Sequence, residues 1–284
     1  MSQKNPTLLL LGCGQLGTAL GKHYQQQGWR VVGARRNADA LPSTFQRLGM
    51  DFSDPAATQP LVDVNADYVV ITLTPGGRDE AAYQRAFETG LANLLSSFNL
   101  NSVQHLFFTS STSVYHQNDG SVVDEQSPVQ PLSFSGRAVL AAEQRLRQLA
   151  VASTAIRFGG IYGGDSLRLA ERVKDGKCAP LEPVHYSNRI HRDDCVRVLQ
   201  HLIERLRAGR AVDDCYLAVD NDPAPIGEVH RWLAGEMNVP YSTDAGYAHM
   251  AGSKRGDNRR LRDSGFDFIY PDYRRGYASI LARR

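Results

Sequence analysis

The stretch that most constrains this chain is TLLLLGCGQLGTAL, residues 7–20. The short apolar run Leu8 to Leu11 leads directly into Gly12, Gly14 and Gly17, spaced G-x-G-x-x-G, and a helical pattern follows. Apolar residues without alternation read as a strand buried on both faces. Glycines at that spacing serve three needs: a tight turn, close approach of backbone to a pyrophosphate, and close packing of helix on strand. The helix start then offers free N–H groups and a positive dipole end to phosphates. Glycines are common in loops, so the motif takes its weight from context. A strand precedes it, a helix runs on to a stop at Gly28, and a second strand, WRVVGA, follows. A dinucleotide site is therefore expected at Gly12, Gly14, Gln15, Leu16 and Gly17, against the plain alternative of a βα turn.

The first 157 residues keep this alternation. DYVVITL, VQHLFFTS and STAIRF read as strands, and RDEAAYQRAFETGLANLLSSF and SGRAVLAAEQRLRQLA as helices. Continuous apolar strands separated by helices predict an α/β fold, a doubly wound parallel sheet covered on both faces. Leu73 and Thr74, at the end of DYVVITL, are expected beside the dinucleotide. After Gly160 the pattern loosens. DSLRLAERVKDGK, RDDCVRVLQHLIERLRAG and IGEVHRWLAGEM read as helices and DDCYLAVD as a strand, while no element is assigned beyond Ser253. The expected organisation is a dinucleotide-binding domain over residues 1–158 and a small α/β substrate-type region over 159–284, interwoven with it, the boundary being approximate.

The end of the second strand bears on which dinucleotide binds. An acidic residue there normally holds the ribose 2′-hydroxyl of NAD, but this chain reads VVGARRNADA. Ala34 stands at the acid position, and Arg35 and Arg36 can clasp a 2′-phosphate. NADP(H) is favoured over NAD(H); two solvated arginines, with Asp39 as the acid, is the other reading. Asp51 can reach the adenine edge, or serve as an ordinary loop or capping aspartate.

Composition narrows the partners. The 284 residues are 42% hydrophobic and 22% charged, with a net charge of +2. Those are globular values, and they give no reason to expect a nucleic-acid or membrane partner. Cys13, Cys178, Cys195 and Cys215 form no C-x-x-C pair and no zinc spacing, so no metal is expected and a reduced, cytoplasmic protein is the default.

Further segments fall in a telling order: HLFFTSSTSVYH, DEQSPVQPLS, SGRAVLAAEQRL, IRFGGIYG, NRIHRDDCVRVL and SKRGDNRRLRDSGFDFIYPDYRRGY. Together with the glycine loop they resemble the extended short-chain dehydrogenase/reductase superfamily, of NAD-dependent epimerase/dehydratase type, along nearly the whole chain. The resemblance implies a Rossmann fold and a homodimer through helices beside the fifth strand. It also implies a catalytic Ser, Tyr and Lys, the lysine's positive charge favouring the ionised phenol. The serine position falls on Ser111. The tyrosine and lysine positions fall on Ser135 and Val139.

The loss of that pair is not a matter of alignment. No tyrosine stands between Tyr115 and Tyr162, and no lysine between Lys22 and Lys174. Val139, Ala142, Leu146 and Leu149 make an apolar stripe at helical spacing, which reads as core. Tyr115 is the first substitute acid, with packing as its plain alternative. His191 can titrate near neutrality or stand as a structural residue, and Asp193 and Asp194 suit capping. Arg168, Arg189 and Arg255 are candidates for an anionic substrate, the substrate itself being an unidentified small molecule. The chain reads as short for a sugar-nucleotide enzyme of this type. Two functions stay open: an oxidoreductase or epimerase with a non-standard acid/base, or a catalytically inactive NADP(H)-binding sensor or partner-binding module.

Overall fold

The computed structural model describes residues 5–164, 168–247 and 252–282. β1 (Thr7–Leu11) passes through the glycine turn to α1 (Gln15–Gln26), β2 (Arg30–Arg35) and β3 (Gln46–Gly49). β4 (Tyr68–Ile71) leads to α2 (Glu80–Gln84), a π-helical segment (Arg85–Gly90), α3 (Leu91–Ser97) and β5 (His105–Ser111). Then come β6 (Val122–Val123), α4 (Phe134–Arg147), β7 (Ser153–Phe158), β8 (Gly160–Tyr162), α5 (Arg168–Lys174), β9 (Arg189–His191) and α6 (Arg192–Arg207). β10 (Cys215–Ala218), α7 (Ile226–Glu236), β11 (Arg255–Gly256), α8 (Arg259–Asp263) and α9 (Tyr273–Leu281) complete the described chain.

The central sheet is parallel and seven-stranded, in the order β10-β7-β5-β4-β1-β2-β3. Leu8, Leu9, Leu10 and Leu11 are wholly buried, as a strand covered on both faces requires. The chain winds outward from β1 in one direction through β2 and β3, and in the other through β4 and β5. The crevice of such a sheet opens where the winding reverses, at the carboxyl ends of β1 and β4. Register fixes what stands there: Leu11 pairs with Ala34 on one side and with Ile71 on the other. Gly12, Arg35 and Thr72, each one residue further on, therefore share that edge.

Short polar residues start the helices around this sheet. Asp79 accepts from Ala82 N–H (2.9 Å) at α2, and Ser133 from Gly136 N–H (3.0 Å) at α4. At the end of α1, Gly28 takes φ +82° and its N–H donates to Gln25 C=O (3.0 Å).

The chain does not divide at a single cut. One compact unit gathers the described residues up to 114 with 131–156 and 199–215, and a second gathers 115–130, 157–198 and the residues from 216 onward. The second unit takes up 115–130 because β6 pairs with β11 far along the chain. Its core holds Tyr162, Val173, Cys178, Val229, Leu233, Tyr273, Tyr277 and Ile280. Beyond Ser253, where the sequence suggested no element, the structure has β11, α8 and α9. α9 buries Tyr273, Gly276, Tyr277 and Ile280, spaced i, i+3, i+4 and i+7. The preceding tail is tied down by Asp194, whose two carboxylate oxygens accept from Ile269 and Tyr270 N–H (both 2.9 Å).

Candidate functional site

The three glycines of the turn serve three different ends. Gly12 takes φ +80°, and a Cβ there would lie 2.7 Å from the Thr72 carbonyl oxygen. Only glycine tolerates both the left-handed backbone and that approach. Gly17 lies against Cys13, where a Cβ would stand 3.3 Å from Sγ, so it lets α1 pack on the turn. Gly14 differs: a Cβ there would meet only Gly12 C=O, at 3.8 Å. Little within the chain itself crowds Gly14, so its smallness keeps the backbone open on the crevice side. Gly14 is also the N-cap of α1 and makes no side-chain cap, so the first-turn N–H groups of α1 keep no capping side chain of their own.

A cavity of about 690 Å³ lies over this edge. Of the residues expected at a dinucleotide, Gly12, Gly14, Gln15, Arg35, Arg36, Asp51, Leu73 and Thr74 line it. Leu16 and Gly17 do not; Leu16 is half-buried and Gly17 is buried behind the turn. Sequence reasoning missed Asn37, Phe52, Ser53, Gly76, Ala82, Arg85 and Ala86, which complete the wall. Ala82, Arg85 and Ala86 share a helix face after β4, but nothing in their spacing marks that face as the lining of a cavity.

The charges in the cavity are mixed but lean positive. Arg35 donates to Cys13 C=O (3.4 Å), and the Arg36 guanidinium stands beside Gly76. Asp51 accepts from the Ser53 hydroxyl (2.7 Å) and the Ser53 N–H (3.0 Å), and those bonds, with Arg36 and Arg85 nearby, hold its carboxyl below the usual range. Asp39, the other candidate for a ribose-binding acid, is fully exposed, reaches toward Arg47 (3.8 Å) and does not line the cavity. The helix start without a side-chain cap, the open Gly14 backbone and the arginines fit the pyrophosphate of a dinucleotide.

The residues at the family's catalytic positions are arranged differently. Ser111 Oγ accepts from Ser113 N–H (3.1 Å), which leaves its own proton to be donated. Ser135 pairs with Ser133 (3.0 Å between hydroxyl oxygens), and Val139 is buried with Ala142 and Leu146. α4 sits tightly on the turn after β5 because Gly136 has no Cβ to strike Ser113 C=O. Tyr115 is buried, donates to Asp124 C=O (2.7 Å) and accepts from Arg157 Nη1 (3.0 Å). A hydroxyl tied on both sides reads as a structural bond and not as a poised acid.

The substrate-side candidates do not form a group. Arg189 is buried, bonded to Ser187 C=O (3.3 Å) and set over the Tyr273 ring (5.3 Å). His191 is buried against Tyr270, and its Nδ1 accepts from Asp193 N–H (3.2 Å) at the start of α6. Both serve the interior of the second unit. Arg168 is exposed at the start of α5, and Arg255 donates to Gly120 C=O (2.8 Å). Among the described residues no His, Cys, Asp and Glu cluster is placed to hold a metal ion, and no helix is long and apolar enough to cross a membrane.

A parallel sheet of this order, with a glycine turn at its switch point, defines the class of Rossmann-type nucleotide-binding folds. The family model described as "NAD dependent epimerase/dehydratase family" matches residues 8–214, and the chain belongs to that family. A solved protein of Methylobacillus flagellatus, assigned to the NAD-dependent epimerase/dehydratases, is 34% identical, with a TM-score of 0.84 over 99% of both chains. Protein YeeZ of Escherichia coli K12 is 26% identical over 275 residues, 93% of this chain and 96% of that protein. A UDP-glucose 4-epimerase of Thermus thermophilus, solved with NAD, shares the fold (TM-score 0.76, 16% identity) over 95% of this chain and 96% of its own. The expectation that this chain is short for such enzymes therefore does not hold, since it spans nearly all of that one.

Proposed function

We propose that this protein binds a nicotinamide dinucleotide in the cavity at the switch point, with NADP(H) preferred to NAD(H). The observation that carries the reading is the pair Arg35 and Arg36 on the cavity wall, with Asp39 turned away to Arg47. The glycine turn and the start of α1 receive the pyrophosphate, and the two guanidiniums receive the 2′-phosphate. Bound there, the dinucleotide supplies the means to give or take a hydride.

What the chain adds to that chemistry is a hydroxyl at Ser111, available to hold a substrate oxygen. The family's tyrosine–lysine relay is not part of the proposal, because Ser135 is too short and Val139 has no charge. A second reading, cofactor binding without turnover, is favoured by one observation: the Tyr115 hydroxyl, the nearest substitute in sequence, already donates to Asp124 C=O.

The test is a binding titration of the Arg35→Ala/Arg36→Ala variant. Hydrogen bonds to charged groups contribute roughly 1.5–3 kcal/mol each. Losing both is expected to cost the double variant about 100- to 10,000-fold in NADPH affinity and little in NADH affinity. Equal losses for both would show that the arginines do not read the 2′-phosphate.

A further inference from the structure

We infer that Arg85, which lines the cavity from a helix far along the chain from the glycine turn, is a specificity residue for the 2′-phosphate end of the dinucleotide. The inference rests on the NADP(H) reading above and extends it to a residue outside the glycine-turn and second-strand motifs. Three observations carry it. Ala82, Arg85 and Ala86 line the cavity from one helix face, and of these only Arg85 carries charge and reach. Arg85 is exposed and opens the π-helical segment Arg85–Gly90, set in an otherwise α-helical stretch from Glu80 to Ser97. Such insertions recur at functional sites, since the added residue re-aims the side chains around it. Gly90 makes the turn possible, because a Cβ there would lie 2.9 Å from Arg85 C=O and 3.4 Å from Phe52 Cβ. Phe52 itself lines the cavity, so the π segment is packed onto the same site.

The third observation is electrostatic. Arg36 and Arg85 both act on the Asp51 carboxylate, and all three line the cavity. A dianionic phosphate entering there meets a guanidinium from the end of β2 and another from the helix after β4. Planar guanidiniums on two walls discriminate a phosphate from a hydroxyl better than one wall alone.

The experiment measures affinities of Arg85→Ala for NADPH, NADH, 2′,5′-ADP and 5′-AMP. Arg78→Ala, which removes a nearby exposed charge that does not line the cavity, is the matched control. Arg85→Ala is expected to weaken NADPH and 2′,5′-ADP about tenfold, with NADH and 5′-AMP within about twofold and Arg78→Ala unchanged throughout. If NADPH affinity survives Arg85→Ala but not Arg35→Ala/Arg36→Ala, the inference fails and the cavity reading stands. A loss shared equally by NADPH and NADH also overturns it, by moving Arg85 to a phosphate common to both. If the unaltered protein binds neither dinucleotide, the reading and the inference fall together.

Discussion

Gly12→Ala is expected to destabilise the protein by about 2–6 kcal/mol and to abolish dinucleotide binding in whatever folds. The figure joins two costs. A non-glycine residue at φ +80° carries backbone strain of roughly 1–3 kcal/mol. Forcing a methyl to 2.7 Å from the Thr72 carbonyl oxygen adds overpacking of roughly 1–3 kcal/mol, and that atom is backbone that cannot swing aside. The carbonyl belongs to the edge that also carries Leu73 and Thr74, so any relief by shifting it deforms the cavity wall. Gly14→Ala is the informative contrast. Its Cβ meets little within the chain, so stability should hold while binding falls. Chemical denaturation and ligand titration on the two variants separate a turn requirement from a ligand requirement; equal stability losses would refute the assignment of different roles.

Asp220→Asn is expected to raise stability at alkaline pH. Asp220 is buried, its Oδ1 accepts from Asp222 N–H (3.2 Å), and its Oδ2 has no hydrogen-bond partner among the described residues. Burial pushes its carboxyl up from 3.8 to about 8, against the opposing pull of the Arg189 guanidinium. The Tyr162 hydroxyl, also buried without a hydrogen-bond partner among the described residues, is raised by burial and by Asp220. The folded state thus holds a proton that the unfolded state releases. Stability is greatest below the unfolded value near 3.8 and falls as pH rises toward about 8, by at most ~1.4 kcal/mol per pH unit from this group. An amide cannot ionise, so the variant should lack that slope, and its unfolding free energy should pull away from the wild type by a few kcal/mol by pH 8. Parallel pH profiles for the two proteins would show that Asp220 does not carry the proton.

Much of the lining of the candidate cofactor cavity was legible in the sequence because its physics is local. Glycine spacing, the buried strand before it and the missing acid at Ala34 all sit within one βαβ unit, so Gly12, Gly14, Arg35 and Arg36 could be named from pattern. Arg85 could not. The helical periodicity from Glu80 to Ser97 reads as continuous, and a π turn leaves no mark in the spacing of apolar residues. The bonds of Tyr115 were hidden for another reason. Its partner Arg157 lies 42 residues away, and a long-range hydrogen bond has no local signature. α9 was missed because its apolar face, Tyr273, Gly276, Tyr277 and Ile280, includes a glycine that pattern reading takes as a break. In the structure that glycine lies directly against the Tyr162 hydroxyl, where any side chain would clash. At α4 the sequence was informative in the opposite sense: Val139 reads as core and is core.

The central claim is that the cavity at the switch point takes a nicotinamide dinucleotide and reads its 2′-phosphate. Equilibrium titration of the unaltered protein with NADPH and with NADH, at one ionic strength, tests it most directly. The account predicts saturable binding of both, NADPH tighter by at least about tenfold, and a gap that narrows as salt is raised. NADH binding as tightly as NADPH, or no saturable binding of either, would contradict it.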